Sequence, residues 1–388
     1  MVIREVESDA DRVAVQALLC EAFDIRPGVG VAFAQLYLDV ITKTSAHSYV
    51  VVIDGQVVGH ALLALRTFVI DGVHLPGGIL AMVAVASKYR GRGIGSALVH
   101  RAESQARKAG VLLLHVAGDP QFYMRFGFVP AYLQGRAVHD AVLDGEAPVL
   151  REATPGDVAH LVALSALETP VGALLADQDR WNWVLSTRHP TSLVMHNDRF
   201  FGFCATDDAC LIADDIGFIR VCWNQETLAI YEAGSLDATN RLLRAVCQWA
   251  VEKGFQEVVC YLPPRNRLMQ AVVNGGATLE VWEENELQIK VLDVGGVMAR
   301  CRDLLRRRAQ NASLHGSLKL QVGSEGFVFH FGAFRPGEDI CEIFLPEIGF
   351  ARAIMGTDCL SDRLGENGHS DMRQMLNVLF PQLGPFFW

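Results

Sequence analysis

Met82-Val-Ala-Val-Ala-Ser-Lys-Tyr-Arg-Gly-Arg-Gly-Ile-Gly-Ser96 is the stretch around which this 388-residue chain is organised. The run Leu80 to Ala86 is short, apolar and rich in branched residues, and polar turn residues follow it, so it reads as a buried strand ending at Ser87. A helical pattern through Leu98, Val99, Ala102 and Ala106 opens inside the glycine-rich turn. That junction aims the free backbone N–H groups of Gly91, Gly93, Gly95 and Ser96 at one spot. The helix dipole adds positive potential there, and Arg90 and Arg92 add full charges. A diphosphate suits such a place.

Two familiar glycine loops fail on this stretch. A dinucleotide fingerprint started from Gly91 needs glycine where Ser96 stands, and a phosphate loop needs Gly-Lys-Ser/Thr, which is absent. What remains is Arg-x-x-Gly-x-Gly (Arg90, Gly93, Gly95) after Val83-Ala84-Val85, with Met82 before it and Ile94 within it. This resembles motif A of the GNAT superfamily of acetyl-CoA-dependent N-acyltransferases. About one helix later comes Gly118-Asp119-Pro120-Gln121-Phe122-Tyr123-Met124-Arg125-Phe126-Gly127-Phe128, in which Pro120 suits a helix start and Gly127 a stop. It is similar to motif B of the same superfamily, which packs beside the pantetheine arm.

The wider composition bounds the chain. Its length suggests two or three domains, and 51% hydrophobic against 20% charged residues implies large buried cores. A net charge of −10 disfavours a nucleic-acid partner and suits a cationic amine. The nine cysteines show no C-x-x-C pair or metal-ligand spacing and sit mostly in apolar runs, as small buried hydrophobes of a reducing cytoplasm would. The histidines are scattered, so no metal site is implied. The N-terminus lacks a signal-like apolar region, and no run approaches the ~20 apolar residues of a membrane span.

In chain order, Ser8-Asp9-Ala10-Asp11 caps a first helix, Asp24-Ile25-Arg26-Pro27-Gly28 interrupts the pattern, and a second helix follows. Antiparallel strands around Asp54-Gly55 and Asp71-Gly72 lead into the organising strand. A second unit echoes the first. Leu150-Arg151-Glu152 repeats Ile3-Arg4-Glu5, Arg199-Phe200-Phe201-Gly202 repeats Gln56-Val57-Val58-Gly59, and Ala245, Gln248, Ala250, Lys253 and Gly254 repeat the pattern of the helix that ends at Gly110. At the matching junction, Tyr231 to Asp237, there is no arginine, and Glu232 and Asp237 would repel a diphosphate. The last part has a helix whose Arg306-Arg307-Arg308 reads as a solvated face, two alternating strands, and an apolar ending at Trp388.

The expected fold class is therefore α/β (α+β). Residues 1–146 form a catalytic GNAT domain and 147–291 a degenerate GNAT-like one, each a mixed, mostly antiparallel sheet flanked by helices. Residues 292–388 form a third, α+β domain. Such an arrangement resembles the enhanced-intracellular-survival (Eis) group of acetyltransferases, whose third domain is sterol-carrier-protein-like.

The resemblance implies an acetyl-CoA-dependent N-acetyltransferase without metal. It would acylate a primary amine of a small molecule (aminoglycoside, polyamine or amino-bearing metabolite) by direct attack in a ternary complex. Main-chain groups of Met82, Val83, Ala84 and Val85 would hold the thioester end, and Arg90 through Ser96 the diphosphate. Tyr123 would be the general acid. In the Eis group the base is the terminal carboxylate, here of Trp388, with a water relay or Asp119 as substitutes. Phe23, Asp24 and Arg26 are candidate acceptor contacts. A longer acyl-CoA donor, a non-catalytic acyl-CoA or lipid sensor, and self-association stay open.

Overall fold

The structure, a computed structural model, describes residues 1–23, 29–141, 145–167, 173–186, 207–214, 216–236, 239–331, 340–355, 376–377 and 379–380. Strand β1 (Val2–Glu5) leads to α1 (Asp9–Ala22) and α2 (Val29–Lys43). Ser8 and Asp11 form a capping box at the start of α1, and Arg4 grips Asp11 through two hydrogen bonds of 2.7 and 2.8 Å. Strands β2 (Ala46–Ile53), β3 (Gln56–Ile70) and β4 (Val73–Val85) form an antiparallel meander. Helix α3 (Ile94–Lys108), β5 (Leu113–Ala117), the short α4 (Pro120–Tyr123), β6 (Val129–Pro130) and β7 (Leu133–Asp140) follow.

The second unit follows a similar order with an added strand between its first two helices: β8 (Arg151–Glu152), α5 (Val158–Leu167), the added β9 (Ala173–Leu174), α6 (Gln178–Ser186), β10 (Asp207–Ala213), β11 (Gly217–Trp223) and β12 (Leu228–Ser235). The helix Thr239–Glu252, β13 (Glu257–Tyr261), the helix Arg267–Asn274, β14 (Glu280–Glu283) and β15 (Leu287–Val291) complete it. The echo of Ile3-Arg4-Glu5 in Leu150-Arg151-Glu152 reaches into side-chain detail, while the echo at Arg199 to Gly202 lies outside the described residues. Thr154 and Asp157 form the capping box, and Arg151 grips Asp157 at 2.9 and 2.7 Å, as Arg4 grips Asp11.

The two units exchange strands. Among the described residues one sheet runs β1-β2-β3-β4-β5-β15-β6, with β9 attached to β3, and the other runs β14-β7-β13-β12-β11-β10-β8. Thus β7, from the first unit, lies between β13 and β14, and β15, from the second, lies between β5 and β6. Residues 1–146 and 147–291 do not each carry a closed sheet of their own.

The last part begins with the helix Val294–Asn311. It continues with β16 (Gly316–Val322), β17 (Glu325–Phe331) and β18 (Ile340–Leu345), in the order β17-β16-β18, and the helix Glu347–Ile354. Val297, Met298, Cys301, Leu304 and Leu305 of its first helix share one core with Phe68, Leu75 and Leu113 of the first sheet. The expected solvated arginine face holds for Arg306 and Arg307 only. Arg308 is turned inward. It donates to the Leu379 carbonyl at 2.7 Å and pairs with Asp71 at 3.3 Å, because its end of the helix crosses the β3–β4 turn.

Candidate active site

The site begins where β4 and β5 part. Their parallel ladder runs only from Gly77–Leu113 to Leu80–Val116, so β4 continues through Ala81 to Val85 without β5 beside it. On its other edge β4 makes a bulge against β3. His60 pairs with Ala84 and Leu62 with Ala81, leaving Met82 and Val83 opposite Ala61. Met82 takes a left-handed conformation, φ 52°, which is strained for a residue with a side chain, by ~1–3 kcal/mol.

A buried relay holds that bulge. The Met82 carbonyl can only accept, so at 2.9 Å the proton lies on His60 Nδ1. His60 Nε2 then accepts from the Ser48 hydroxyl at 3.1 Å, and Ser48 Oγ accepts in turn from Tyr37 at 3.1 Å. His60 is fully buried, and that burial pushes its pKa down to about 4, outweighing the opposing bond to Met82. The imidazole is neutral at pH 7, as the relay requires.

The glycine-rich turn follows, and two of its glycines have separate reasons. Gly93 caps α3 in the left-handed region, φ 77°, which frees the first amides of the helix. Gly95 lets the Phe122 ring close on the helix, since a Cβ there would stand 3.1 Å from Phe122 Cζ. Arg125 covers Phe122, with its guanidinium carbon 4.3 Å from the ring centre, and donates to Ser96 Oγ at 3.2 Å. Arg90 Nε donates to the Val85 carbonyl at 3.2 Å, while Arg92 lies over the Tyr89 ring.

Tyr123 ends α4, whose first turn Asp119 caps by accepting from the Gln121 amide at 2.9 Å. The phenol ring stands edge-on to Phe122 and to Phe128. Burial, and secondarily the Asp119 carboxylate, push the Tyr123 pKa well above the usual phenol value. Its hydroxyl is a proton donor across the neutral range.

The free end of β4, the glycine turn and Tyr123 line one cavity of about 1530 Å³. Met82 to Val85, Arg90, Gly91, Gly93 to Ser96, Tyr123 and Phe23 line it together, whereas Arg92 stands outside the lining. Asp24, Arg26 and Trp388 lie outside the described residues. The lining missed from sequence comes partly from the second unit, Leu175, Asp177, Arg180, Trp183, Arg220 and Tyr231, and includes Arg66 of β3. Arg66 and Arg220 sit in ordinary strand patterns, and no local signal distinguishes them. His60 is equally silent in the sequence.

The second unit's own junction differs from the expected picture. Glu232 was to repel anions, yet it accepts from Arg180 at 2.9 Å and from Arg220 at 3.0 Å. The arginines that the local sequence lacks arrive from α6 and β11, so the carboxylate is compensated. Asp237 lies outside the described residues.

Residues 15–128 match the model described as Acetyltransferase (GNAT) family. An uncharacterised N-acetyltransferase of Escherichia coli, YhbS, is 35% identical over 75 residues, covering 19% of this chain and 44% of that protein. The chain thus spans under half the length of the curated relative it matches. Two solved structures extend the likeness over the whole chain. A GCN5-related N-acetyltransferase from Kribbella flavida has TM-score 0.70 and 18% identity, covering 100% of this chain and 97% of that one. Eis1 from Mycobacterium abscessus has TM-score 0.67 and 13% identity, covering 100% and 99%. At such identities the likeness is one of fold. Among the described residues no helix is long and apolar enough to cross a membrane.

Proposed function

We propose that this protein is an acetyl-CoA-dependent N-acetyltransferase acting on the primary amine of a small molecule in a ternary complex. The observation that carries the reading is the meeting, in one cavity, of the unpaired end of β4, the α3 N-terminus and the Tyr123 phenol. The residues fit acetyl-CoA as co-substrate. Gly91 and Gly93 leave open space where a Cβ would stand, so the amides at the start of α3 face a diphosphate unobstructed. Arg90 and Arg125 add positive charge beside them. Main-chain groups of Met82 to Val85 receive the pantetheine arm as an added strand would be received, and an N–H near Val83 polarises the thioester carbonyl.

The amine nitrogen forms the new C–N bond, the C–S bond breaks, and Tyr123 gives its proton to the departing thiolate. By resemblance to the Eis group, the base that takes the proton the amine loses is a terminal carboxylate, for which Trp388 stands as the candidate beside Asp119 and a water relay, and residues 292–388 are sterol-carrier-like. The acceptor class stands as expected from sequence: an aminoglycoside, a polyamine or another amino-bearing metabolite.

Titration calorimetry with acetyl-CoA, followed by thiol release with a panel of amines, tests the reading. A binding heat and amine-dependent thiol release are expected, and absence of binding would refute it. Binding without release by any amine would point to a sensor. Appending Gly-Ser after Trp388 should lower turnover strongly without changing the melting temperature, because displacing a reacting group by ~1 Å is costly. Full activity of the extended protein would remove Trp388 from the mechanism.

A further inference from the structure

The far end of the cavity is unusual for an enzyme of amines, because its buried charge is positive. Arg180 and Arg220 have side chains only 13% and 14% exposed, and both bind the one carboxylate of Glu232, itself 12% exposed. Arg180 uses Nη2 for both of its bonds to Glu232, and its Nη1, also buried, makes no hydrogen bond among the described residues. Arg66 adds a third guanidinium to the same cavity wall. Its hydrogen bond goes to the carbonyl of its own neighbour, Leu65, at 2.8 Å, and the carboxylate that acts on it electrostatically is the exposed one of Asp177. Asp177 and Asp179 also line this end, but both are exposed, and Asp177 is already engaged by the Arg180 amide at 2.9 Å. Water screens such surface carboxylates, whereas the buried cations are screened far less. Burying a cation is costly, and an anionic ligand that reaches it more closely than an exposed carboxylate does offsets that cost.

We propose that Arg66, with the Arg180–Glu232–Arg220 cluster beside it, forms a subsite for an anionic group, carboxylate or phosphate, carried by the amine acceptor. The inference rests on the acetyl-transfer reading and narrows it. Arginine suits the role because its planar fork matches either oxyanion. The geometry also sets a length. Arg66 stands opposite Gly77, five residues along β4 from Met82, or roughly 16 Å of extended strand. An anion held by Arg66 therefore lies on the order of 10–16 Å from an amine at Met82, along apolar walls formed by Phe33, Val40, Leu62 and Trp183. A polyamine or aminoglycoside would instead set further cations against three arginines.

The test uses the full chain with acetyl-CoA and four acceptors of one length: ω-aminooctanoate, ω-aminooctyl phosphate, ω-aminooctanamide and 1-aminooctane. Glycine and glycinamide form a short pair. Charged hydrogen bonds change such ratios by about 10- to 100-fold, so one of the long anions should exceed both neutral-ended amines by that factor in kcat/KM. The short pair should differ little. Arg66→Gln should bring the long ratio within about threefold, and Arg66→Lys should retain part of it, melting curves establishing that each variant is folded. Which anion is favoured separates carboxylate from phosphate. Equal use of neutral and anionic acceptors, an unchanged ratio in folded Arg66→Gln, or use of none of the acceptors by protein that binds acetyl-CoA would overturn the subsite. The wild-type comparison decides even where a variant fails to fold. Failure to bind acetyl-CoA at all would instead overturn the acetyl-transfer reading.

Discussion

Tyr123 could be read from the sequence because its neighbours, Phe122, Phe126 and Gly127, form a recognisable run, but its depth could not. The structure places it beneath Phe122 and Phe128, where burial raises its pKa and keeps the proton available. Tyr123→Phe keeps the ring and removes the proton. Turnover should drop by roughly 10²–10⁴ while acetyl-CoA affinity by calorimetry stays the same, and equal turnover would make Tyr123 a packing residue. His60 was invisible for the opposite reason: a histidine in an apolar strand carries no local signal, and its partner Met82 is distant in the chain. Its pKa, depressed by burial to about 4, lies below the unfolded value near 6.5. The unfolded chain therefore binds the extra proton first. The stability due to neutral His60 is complete above pH 6.5 and is lost as the pH falls toward 4, a loss of about 3 kcal/mol. His115, pushed down to about 3 by the same cause, adds to the slope. The melting temperature should fall between pH 6.5 and 4, less steeply in His60→Gln, and identical slopes would show that the relay does not titrate with folding.

At the level of elements, the β4–turn–α3 unit was legible because branched residues, a glycine turn and a 3.6-residue period follow one another in a short span. Its boundaries were less so. β4 begins at Val73, well before the apolar run at Leu80, because Gly77 and Gly78 carry little strand signal yet pair with both β3 and β5. The bulge at Met82 also leaves no mark, since it breaks the hydrogen-bond register without altering the apolar character of the run. The turn itself gives a sharp prediction. Gly93 holds φ 77° at the cap of α3, and Gly95 lies against Phe122. Gly93→Asp/Gly95→Asp introduces strain, bulk and two negative charges at the amides proposed to face the diphosphate. Calorimetry on this variant should show no acetyl-CoA site, since the second unit has no counterpart of Arg90 to Ser96. Undiminished binding, with the variant's melting curve showing it folded, would remove the turn from the cofactor site.

For the molecule as a whole, the repeated opening at Arg4 and Arg151 was legible and the exchange of strands was not. Leu287-Gln288-Ile289-Lys290-Val291 alternates as any half-buried strand does, and alternation names a face without naming a sheet. The structure shows what the exchange does. β15 pairs with β5 from Leu287–Ala117 to Val291–Leu113 and supplies the ladder partners of β6, while Gln288 Nε2 donates to the Gly118 carbonyl at 3.0 Å beside Tyr123. Lys290 pairs with Glu103 of α3 at 2.8 Å. The second unit thus closes the sheet on which the first unit's site is built, and it contributes Arg180 and Arg220 to the cavity wall. A fragment of residues 1–146 should then lack a cooperative fold. It would expose β5 as an open apolar edge, leave β6 without its ladder, and leave β7 without the strands it pairs with. Leu287, Ile289 and Val291 would also be missing from the shared core, each worth about 1.5–3 kcal/mol of burial. Near-ultraviolet circular dichroism and thermal melting of the fragment, alone and mixed with residues 147–388, make the comparison. A broad, non-cooperative melt without acetyl-CoA binding is expected alone, with recovery of both on mixing. A fragment that melts sharply and binds acetyl-CoA by itself would show that the exchanged strand ornaments a domain already complete.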